Sequence, residues 1–167
     1  MPLLDDATIR ELLKSDYPRL VNAVALVSGS FAAAEDAVQE AIVRAWTSRE
    51  SIGNPAAWVA VVAMNLSRSA WRRTLVERKA RDRLVEVATG AANPSEDRVD
   101  AARALAVLPR RQREVAVLRY FLQLSTDETA AALGVGVGTV KNSLAKARVS
   151  LATALRETDD VEVTPDA

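Results

Sequence analysis

The chain has 167 residues, 49% of them apolar and 4% aromatic, and its 22 basic and 22 acidic side chains cancel to a net charge of zero. This length suffices for one ordinary domain or two small ones. Because the chain contains no cysteine and no histidine, disulfides, thiolate metal sites and the commonest catalytic base are excluded. We therefore expect a protein that is not an enzyme and has no catalytic residues, no metal site and no cofactor.

Neither export nor membrane insertion is indicated. The N-terminal stretch MPLLDDATIRELLKSD is acidic and lacks the apolar core of a signal peptide. The longest apolar run, from Ala56 to Met64, is too short to cross a bilayer. We expect a cytoplasmic protein without membrane contacts.

The first half of the chain predicts three helices and no strand. The first covers residues 6–27 and is interrupted at Pro18, which cannot donate to the helical hydrogen-bond ladder. The second covers about 31–47, and the third runs over about 55–84 with Asn54 as its N-cap. The residues assigned to the core of this half are Leu12, Leu13, Leu20, Val24, Val27, Trp46 and Trp58.

The segment VATGAANPSEDR breaks this pattern with glycine, asparagine and proline, which indicates a linker over residues 85–97. The predicted fold is all-α. Two small helical domains, over residues 6–84 and 98–156, are joined by a short flexible linker. The acidic end, residues 157–167, is expected to be disordered.

The second half contains a predicted helix-turn-helix at about residues 126–150. Ser125 and Glu128 form a capping box that starts a short helix. Gly134 suits the left-handed turn that ends this helix. The following helix carries an apolar stripe, expected to face the core, of Val140, Leu144, Ala147 and Leu151.

The opposite face of that helix is polar or basic and contains no acid. Its residues are Thr139, Lys141, Asn142, Lys146 and Arg148. Such side chains can bond to base edges and phosphates, and the lack of acid avoids repulsion from phosphate. We interpret the helix as a reader of the DNA major groove. The alternative is a helical hairpin with a solvated cationic face.

A second basic segment lies at residues 68–83, whereas the first forty residues lean acidic. Two separated basic segments in a neutral chain suggest two contacts with a polyanion. The alternative is two solvated helix faces.

Three segments, in this order, resemble bacterial sigma factors of the extracytoplasmic-function group. AAAEDAVQEAIVRAW is similar to the part that grips RNA polymerase, and NPAAWVAVVAMNLSRSAWRR to the helix that opens and reads the downstream promoter element. LPRRQREVAVLRYFLQLSTDETAAALGVGVGTVKNSLAKARVSL resembles the domain that reads the upstream element. NLSRSAWRR is closest to an actinobacterial subset. The resemblance implies a region-2 type domain followed by a region-4 type domain, and promoter-specific transcription initiation.

For the first segment, the resemblance implies docking on core RNA polymerase, at the clamp helices of its largest subunit. The implied residues are Asp36, Gln39, Glu40 and Arg44. From the residues alone, plain solvent exposure of this face is the alternative. For the chain as a whole, the resemblance also implies contact with the beta flap of the polymerase and an anti-sigma factor as a partner, and no obligate homo-oligomer is expected.

For the second segment, the resemblance implies that the loop 48–54 and the helix after it handle the −10 element. There a base flipped out of the non-template single strand is captured. The implied residues are Asn54, Asn65, Arg68, Arg72 and Arg73. Stacking on bases is an alternative role for Trp58 and Trp71.

For the third segment, the resemblance implies reading of the −35 element in double-stranded promoter DNA. The implied residues are Gly138, Thr139, Lys141, Asn142, Ser143, Lys146 and Arg148.

The chain departs from the family pattern within these segments. Asn142 and Ser143 stand where many members have Ser and then Arg, Gly136 stands where Ser is common, and Ser69 where Asp is common. Because an arginine is a strong guanine reader or phosphate clamp, the usual upstream promoter sequence does not carry over to this chain.

The main alternative function is that of a helix-turn-helix regulator that acts outside the polymerase holoenzyme. It would need a ligand-binding or dimerisation domain at its N-terminus, where this chain has an acidic face and a basic helix. A non-DNA interaction module is the second competitor, and it would show no salt-dependent affinity for nucleic acid.

Overall fold

The computed structural model describes residues 4–48, 51–74 and 96–162, and side chains for 4–48, 51–68 and 100–157. Within these ranges every regular element is helical. Residues 85–95 of the predicted linker 85–97, the end of the third helix at 75–84 and the last residues, 163–167, lie outside the described residues. The last two residues of the predicted linker, Glu96 and Asp97, are helical.

The first half contains α1 (Asp6–Glu11), α2 (Tyr17–Ser28), α3 (Phe31–Thr47) and α4 (Pro55–Thr74). Side chains just ahead of three of these helices accept hydrogen bonds from first-turn amides. Asp5 accepts from the Thr8 amide at 2.8 Å, Ser30 from Ala33 at 3.2 Å and Asn54 from Ala57 at 3.0 Å. These caps satisfy donors that the helices cannot use internally, so short polar residues define where each helix begins.

A π-helical turn, Leu12–Asp16, joins α1 to α2 directly ahead of Pro18. The proline lies in the first turn of α2, where its missing N–H costs no hydrogen bond. The wide turn adds a residue to the helical register. As a consequence Leu12 is buried while Leu13 is 48% exposed, so the assignment of Leu13 to the core is wrong.

The core of the first half lies between α2, α3 and α4. It contains the expected Leu20, Val24 and Val27 together with Val38 and Val59, all almost completely inaccessible. Trp58 is partly buried and packs against this cluster. Trp46 is 57% exposed, so its assignment to the core is wrong: the small side chain of Ala45 takes the inward position beside it.

The second half consists of α5 (Glu96–Ala106), α6 (Arg110–Ala116), a π-helical turn (Val117–Phe121), α7 (Thr126–Leu133) and α8 (Val137–Glu162). The capping box predicted at Ser125 and Glu128 is present in both directions. Gly134 ends α7 in the left-handed conformation, with φ of 64°. These are the local features of the predicted helix-turn-helix. Helix α8 continues to Glu162, so residues 157–162, which were expected to be disordered, are helical.

The two halves pack directly on each other. Ala102, Val117, Leu118 and Leu124 of the second half belong to the same buried cluster as the core of α2, α3 and α4. A smaller cluster inside the second half joins Val115, Ala130, Val140 and Leu144 and holds the helix-turn-helix together. The relative placement of the halves is therefore defined by apolar burial as well as by the chain connection.

Candidate nucleic-acid interface

The outward face of α8 forms a continuous polar surface near the start of the helix. Val140, Leu144 and Ala147 are buried, as the predicted stripe requires, and Leu151 is partly buried. With that stripe turned inward, most of the residues predicted to read DNA are exposed and Ser143 is half-buried. The exposed ones are Gly138, Thr139, Lys141, Asn142, Lys146 and Arg148.

The start of α8 carries few side chains that could obstruct this surface. The amides of Thr139 and Val140 both donate to the Gly136 carbonyl, at 3.0 and 3.2 Å. No side chain is present at Gly136 or Gly138, and no acid occurs between Glu128 and Glu157. The exposed start of α8 therefore combines the positive end of a helix dipole with cationic side chains, an arrangement that suits phosphate and base contacts.

Arg148 is oriented by a residue that sequence reasoning did not single out. Its Nε donates to the Tyr120 hydroxyl at 2.9 Å. Tyr120 lies in the π-helical turn, 28 residues away in sequence, so no local pattern could reveal this contact. The bond uses only Nε and leaves the terminal nitrogens of the guanidinium for an anion.

A second polar surface lies on α4 and the loop before it. Asn65 and Arg68 are exposed on one side of α4, while Met64 and Ser67 are buried on the other. The backbone of Arg72 and Arg73 continues the same helix, and their side chains lie outside the described residues. The structure therefore brings Asn65 and Arg68 together.

Asn54 lies apart from that pair, in the loop before α4. Its side-chain oxygen caps α4, and its amide faces the Glu128 carboxylate at the start of α7. A cavity of about 340 Å³ separates the loop from α7. Its lining includes Ile52 and Trp58 on one side and Ala131 and Ala132 on the other. Helix α7 therefore lies beside the loop, across this cavity.

Hydrogen bonding within the capping box lowers the pKa of Glu128. The largest cause is the backbone amide of Ser125, followed by the Ser125 side chain, and Asn54 contributes least. Since a carboxylate that accepts several hydrogen bonds is stabilised in its charged form, Glu128 stays ionised at neutral pH. The negative charge of Glu128 consequently faces Asn54 in the loop of the first half.

A third surface is the exposed side of α3. Asp36, Gln39, Glu40 and Arg44 all lie on it, as predicted. Arg44 pairs with Glu40 at 2.9 Å, and the Gln39 amide donates to the Tyr17 hydroxyl at 3.1 Å.

Two large apolar side chains accompany those polar groups on α3. Val43 is 53% exposed and Trp46 57% exposed. They follow Gln39 by four and seven residues, so helical spacing places all three on one face. The spacing of seven residues from Gln39 is the sequence feature that could have identified Trp46 as a surface residue. An exposed aromatic beside charged groups is typical of a protein-binding surface.

Among the described residues, no group of acidic side chains could hold a metal ion. Within the same ranges, no helix is both long and apolar enough to cross a membrane.

Two family models match the chain. Residues 12–75 match sigma-70 region 2, and residues 98–151 match sigma-70 region 4. The first match contains α2, α3 and α4, and the second contains the helix-turn-helix.

Relatives of known sequence agree with these matches. The chain is 35% identical over 162 residues to the ECF RNA polymerase sigma factor SigL of Mycobacterium tuberculosis, covering 91% of this chain and 92% of the relative. It is 36% identical over 122 residues to the RNA polymerase sigma-E factor of Streptomyces coelicolor, covering 71% and 69%. Both organisms are actinobacteria, as the NLSRSAWRR segment predicts.

Two solved structures are similar over most of their length. One is the sigma factor RpoE in complex with the anti-sigma factor NepR from Bartonella quintana, with a TM-score of 0.67 and 29% identity, covering 88% of this chain and 95% of that one. The other is CnrH in complex with the cytosolic domain of CnrY, with a TM-score of 0.67 and 25% identity, covering 92% and 90%.

Proposed function

We propose that this chain, which belongs to the extracytoplasmic-function group of RNA polymerase sigma factors, divides promoter-specific initiation among the three surfaces described above. The chain needs no catalytic site for this role, because the polymerase performs the chemistry. Its place of action is the cytoplasm, where the polymerase works.

The observation that carries the proposal is the polar face of α8. A buried stripe orients the helix, and the opposite face carries donors, acceptors and positive charge and no acid. This geometry supports insertion of the start of α8 into the major groove at the −35 element. The residues proposed to contact it are Gly138, Thr139, Lys141, Asn142, Ser143, Lys146 and Arg148. Among them Asn142 is suited to adenine, and Lys146 and Arg148 to phosphate or guanine.

The surface on α4 supports binding of the −10 element. Asn65 has both a donor and an acceptor for a base edge, and the arginines can hold the phosphates of the non-template single strand. The residues proposed for this element are Asn54, Asn65, Arg68, Arg72 and Arg73. Extruding a base costs a few kcal/mol, which the energy of binding to the polymerase would offset.

The exposed side of α3 is proposed to bind core RNA polymerase at the clamp helices, through Asp36, Gln39, Glu40 and Arg44. We add Val43 and Trp46, because burying an exposed tryptophan at the centre of a protein interface contributes much more than a solvated ion pair does. The polar residues around it would then define orientation and partner choice.

An anti-sigma factor is a proposed further partner. The two structural neighbours are sigma factors solved together with such proteins. Their similarity extends over about nine-tenths of this chain, so both halves have counterparts there.

The test is reconstituted transcription, with this protein added to purified bacterial core RNA polymerase and genomic DNA as template. The expected result is a set of new start sites that share two spaced upstream motifs. A chain that binds DNA alone, but neither binds core polymerase nor directs initiation, would instead be a helix-turn-helix regulator outside the holoenzyme.

A further inference from the structure

A tyrosine hydroxyl from outside α8 holds an arginine of the proposed −35 surface. Tyr120, in the π-helical turn, accepts a hydrogen bond from the Nε of Arg148 at 2.9 Å. The tyrosine is 51% exposed, and the arginine lies on the exposed face of α8. The contact therefore lies at the edge of the surface proposed to face DNA.

Small buried side chains hold the backbones beneath this pair together. Ala116, four residues before Tyr120, and Ala147, next to Arg148, belong to one buried cluster and are almost inaccessible. Because the distance between packed helices depends on the side chains at their contact, two alanines allow α6 and α8 to approach closely. Tyr120 and Arg148 therefore start from fixed backbone positions, and the hydrogen bond has only side-chain torsions left to fix.

The partner of Arg148 is neutral, whereas other arginines of the chain pair with acids. Arg44, Arg103 and Arg110 each form an ion pair with a carboxylate on their own helix. Among the described side chains, no carboxylate forms an ion pair with Arg148. A carboxylate would compensate the positive charge of the guanidinium. The hydroxyl orients the guanidinium and leaves its charge available to an anion.

The hydrogen bond also determines which part of the guanidinium remains for a ligand. With Nε occupied, the two terminal nitrogens are left, and their parallel N–H groups match two oxygens of a phosphate. Arg148 is 11 residues from the start of α8 at Val137, or about 16 Å along the helix. The major groove is only about 12 Å wide. A residue this far from the helix end that enters the groove lies over the sugar–phosphate backbone.

We propose that Tyr120 is a positioning residue of the −35 surface, whose hydroxyl orients Arg148 so that the terminal nitrogens of the guanidinium bind a phosphate of the upstream element. The proposal rests on the function proposed above and adds a residue that lies outside the helix-turn-helix. Phosphates are the same at every base pair, so this contact supplies affinity and register without reading a base. Removing the hydroxyl should therefore matter only while Arg148 is present.

A double-mutant cycle on promoter affinity tests the proposal. The holoenzyme is assembled from core polymerase and this chain. Its probe is a duplex fragment that carries one of the start sites recovered by reconstituted transcription. The cycle comprises the parent, Tyr120→Phe, Arg148→Ala and the double variant. The matched control is Thr153→Val, which removes an exposed hydroxyl of α8 whose hydrogen bond, to the Val149 carbonyl at 3.0 Å, stays within the helix.

Tyr120→Phe should weaken promoter binding about three- to tenfold, and Arg148→Ala about tenfold or more. Once Arg148 is alanine, Tyr120→Phe should cause a further loss of less than about twofold. Each single variant should lose the same factor on a fragment with one base pair of the upstream motif replaced. Arg148→Ala should lower the slope of log affinity against log salt by about 1, the value for one phosphate contact. Thr153→Val should bind as the parent does.

Thermal melts and circular dichroism of each variant separate this role from a structural one. A tyrosine that served only stability would lower promoter affinity equally with and without Arg148. If Tyr120→Phe loses its helices, Arg148→Lys takes its place in the test. Lysine keeps the charge, but its single nitrogen cannot bond to Tyr120 and also present a fork to phosphate. Arg148→Lys should then bind the promoter about three- to tenfold more weakly, with core binding unchanged, and equal promoter affinity would contradict the proposal.

Three results overturn the proposal while leaving the proposed function intact. They are equal promoter affinity of Tyr120→Phe and the parent, losses that add in the double variant, and a loss from Arg148→Ala that depends on the base pairs of the upstream motif. If the parent holoenzyme does not prefer the fragment to unrelated duplex DNA, the proposed function fails together with this proposal.

Discussion

The two surfaces proposed to read DNA differ in how much of the molecule each depends on. The face of α8 is complete within the second half: its caps, its turn and its buried stripe all come from residues 125–151. The loop before α4 and the helix itself belong to the first half, but their surroundings include α7 of the second. One surface is open along its length, whereas the other has α7 beside its loop, and its helical part at Asn65 and Arg68 is exposed.

The capping box of α7 contributes to both surfaces. The capping box at Ser125 and Glu128 begins α7, as any capping box begins a helix. Its carboxylate also faces Asn54 in the other half. A residue that caps a helix of the proposed −35 surface therefore also contacts the loop of the proposed −10 surface.

The largest expected effect is on transcription by Lys146→Glu. Reversing a charge on the DNA-facing side of α8 replaces attraction to phosphate by repulsion, so promoter-specific transcription should be abolished. Core binding, measured by native gel shift, should be unchanged. Arg156→Glu is the matched control, since the same charge reversal occurs on the same helix beyond the reading surface. Loss of core binding in Lys146→Glu would mean that the surfaces are wrongly assigned.

Trp46→Ala should weaken core binding by about 10- to 100-fold, as expected for an aromatic at the centre of an interface. Thermal stability should change little, because the side chain is 57% exposed. Leu13→Ala removes another exposed apolar group of the first half and should leave the affinity unchanged. Equal core affinity of the Trp46 and Leu13 variants would exclude Trp46 from the polymerase interface.

Gly134→Ala should destabilise the helix-turn-helix by about 1–2 kcal/mol, the usual cost of a left-handed conformation for a residue with a Cβ. No atom lies within 4 Å of the added methyl group, so strain in the backbone is the sole cause. Gly138→Ala, also without a clash and without a positive φ, should be neutral or slightly stabilising. Thermal melts of the pair measure the difference, and equal melting temperatures would contradict the turn geometry.

The smallest effect concerns pH. The pKa of Glu128 lies below its ordinary value of 4.5, so its contribution to folding is fully present above that value. It is lost as the pH falls through the lowered pKa of the folded state. Melting temperatures of the parent should therefore fall more steeply between neutral and strongly acidic pH than those of Glu128→Gln. Parallel curves would show that the capping carboxylate contributes nothing to stability.

Features defined by neighbours in sequence were predictable. The capping box, the left-handed Gly134, the Asn54 cap and the bounds of α3 depend on interactions within a few residues. The family resemblance is confirmed by relatives that cover nearly the whole chain. Leu13 was misassigned because the extra residue of a π-helical turn depends on what packs nearby. Trp46 was misassigned because packing also decides which of two adjacent apolar residues faces the core.

The amino-acid sequence by itself determined that this is a helical, non-thiol chain with a helix-turn-helix, an acid-free reading face and a polar side on α3. These follow from helical spacing and from the chemistry of caps and turns, which act over one or two turns. Only the tertiary structure decided that three arginines of α2 and α6 donate to backbone carbonyls of the other half, that Tyr120 orients Arg148 and that α7 lies beside the loop before α4. Those contacts span 28 to 102 residues, and their partners are mostly backbone carbonyls, which every residue carries and no sequence pattern marks.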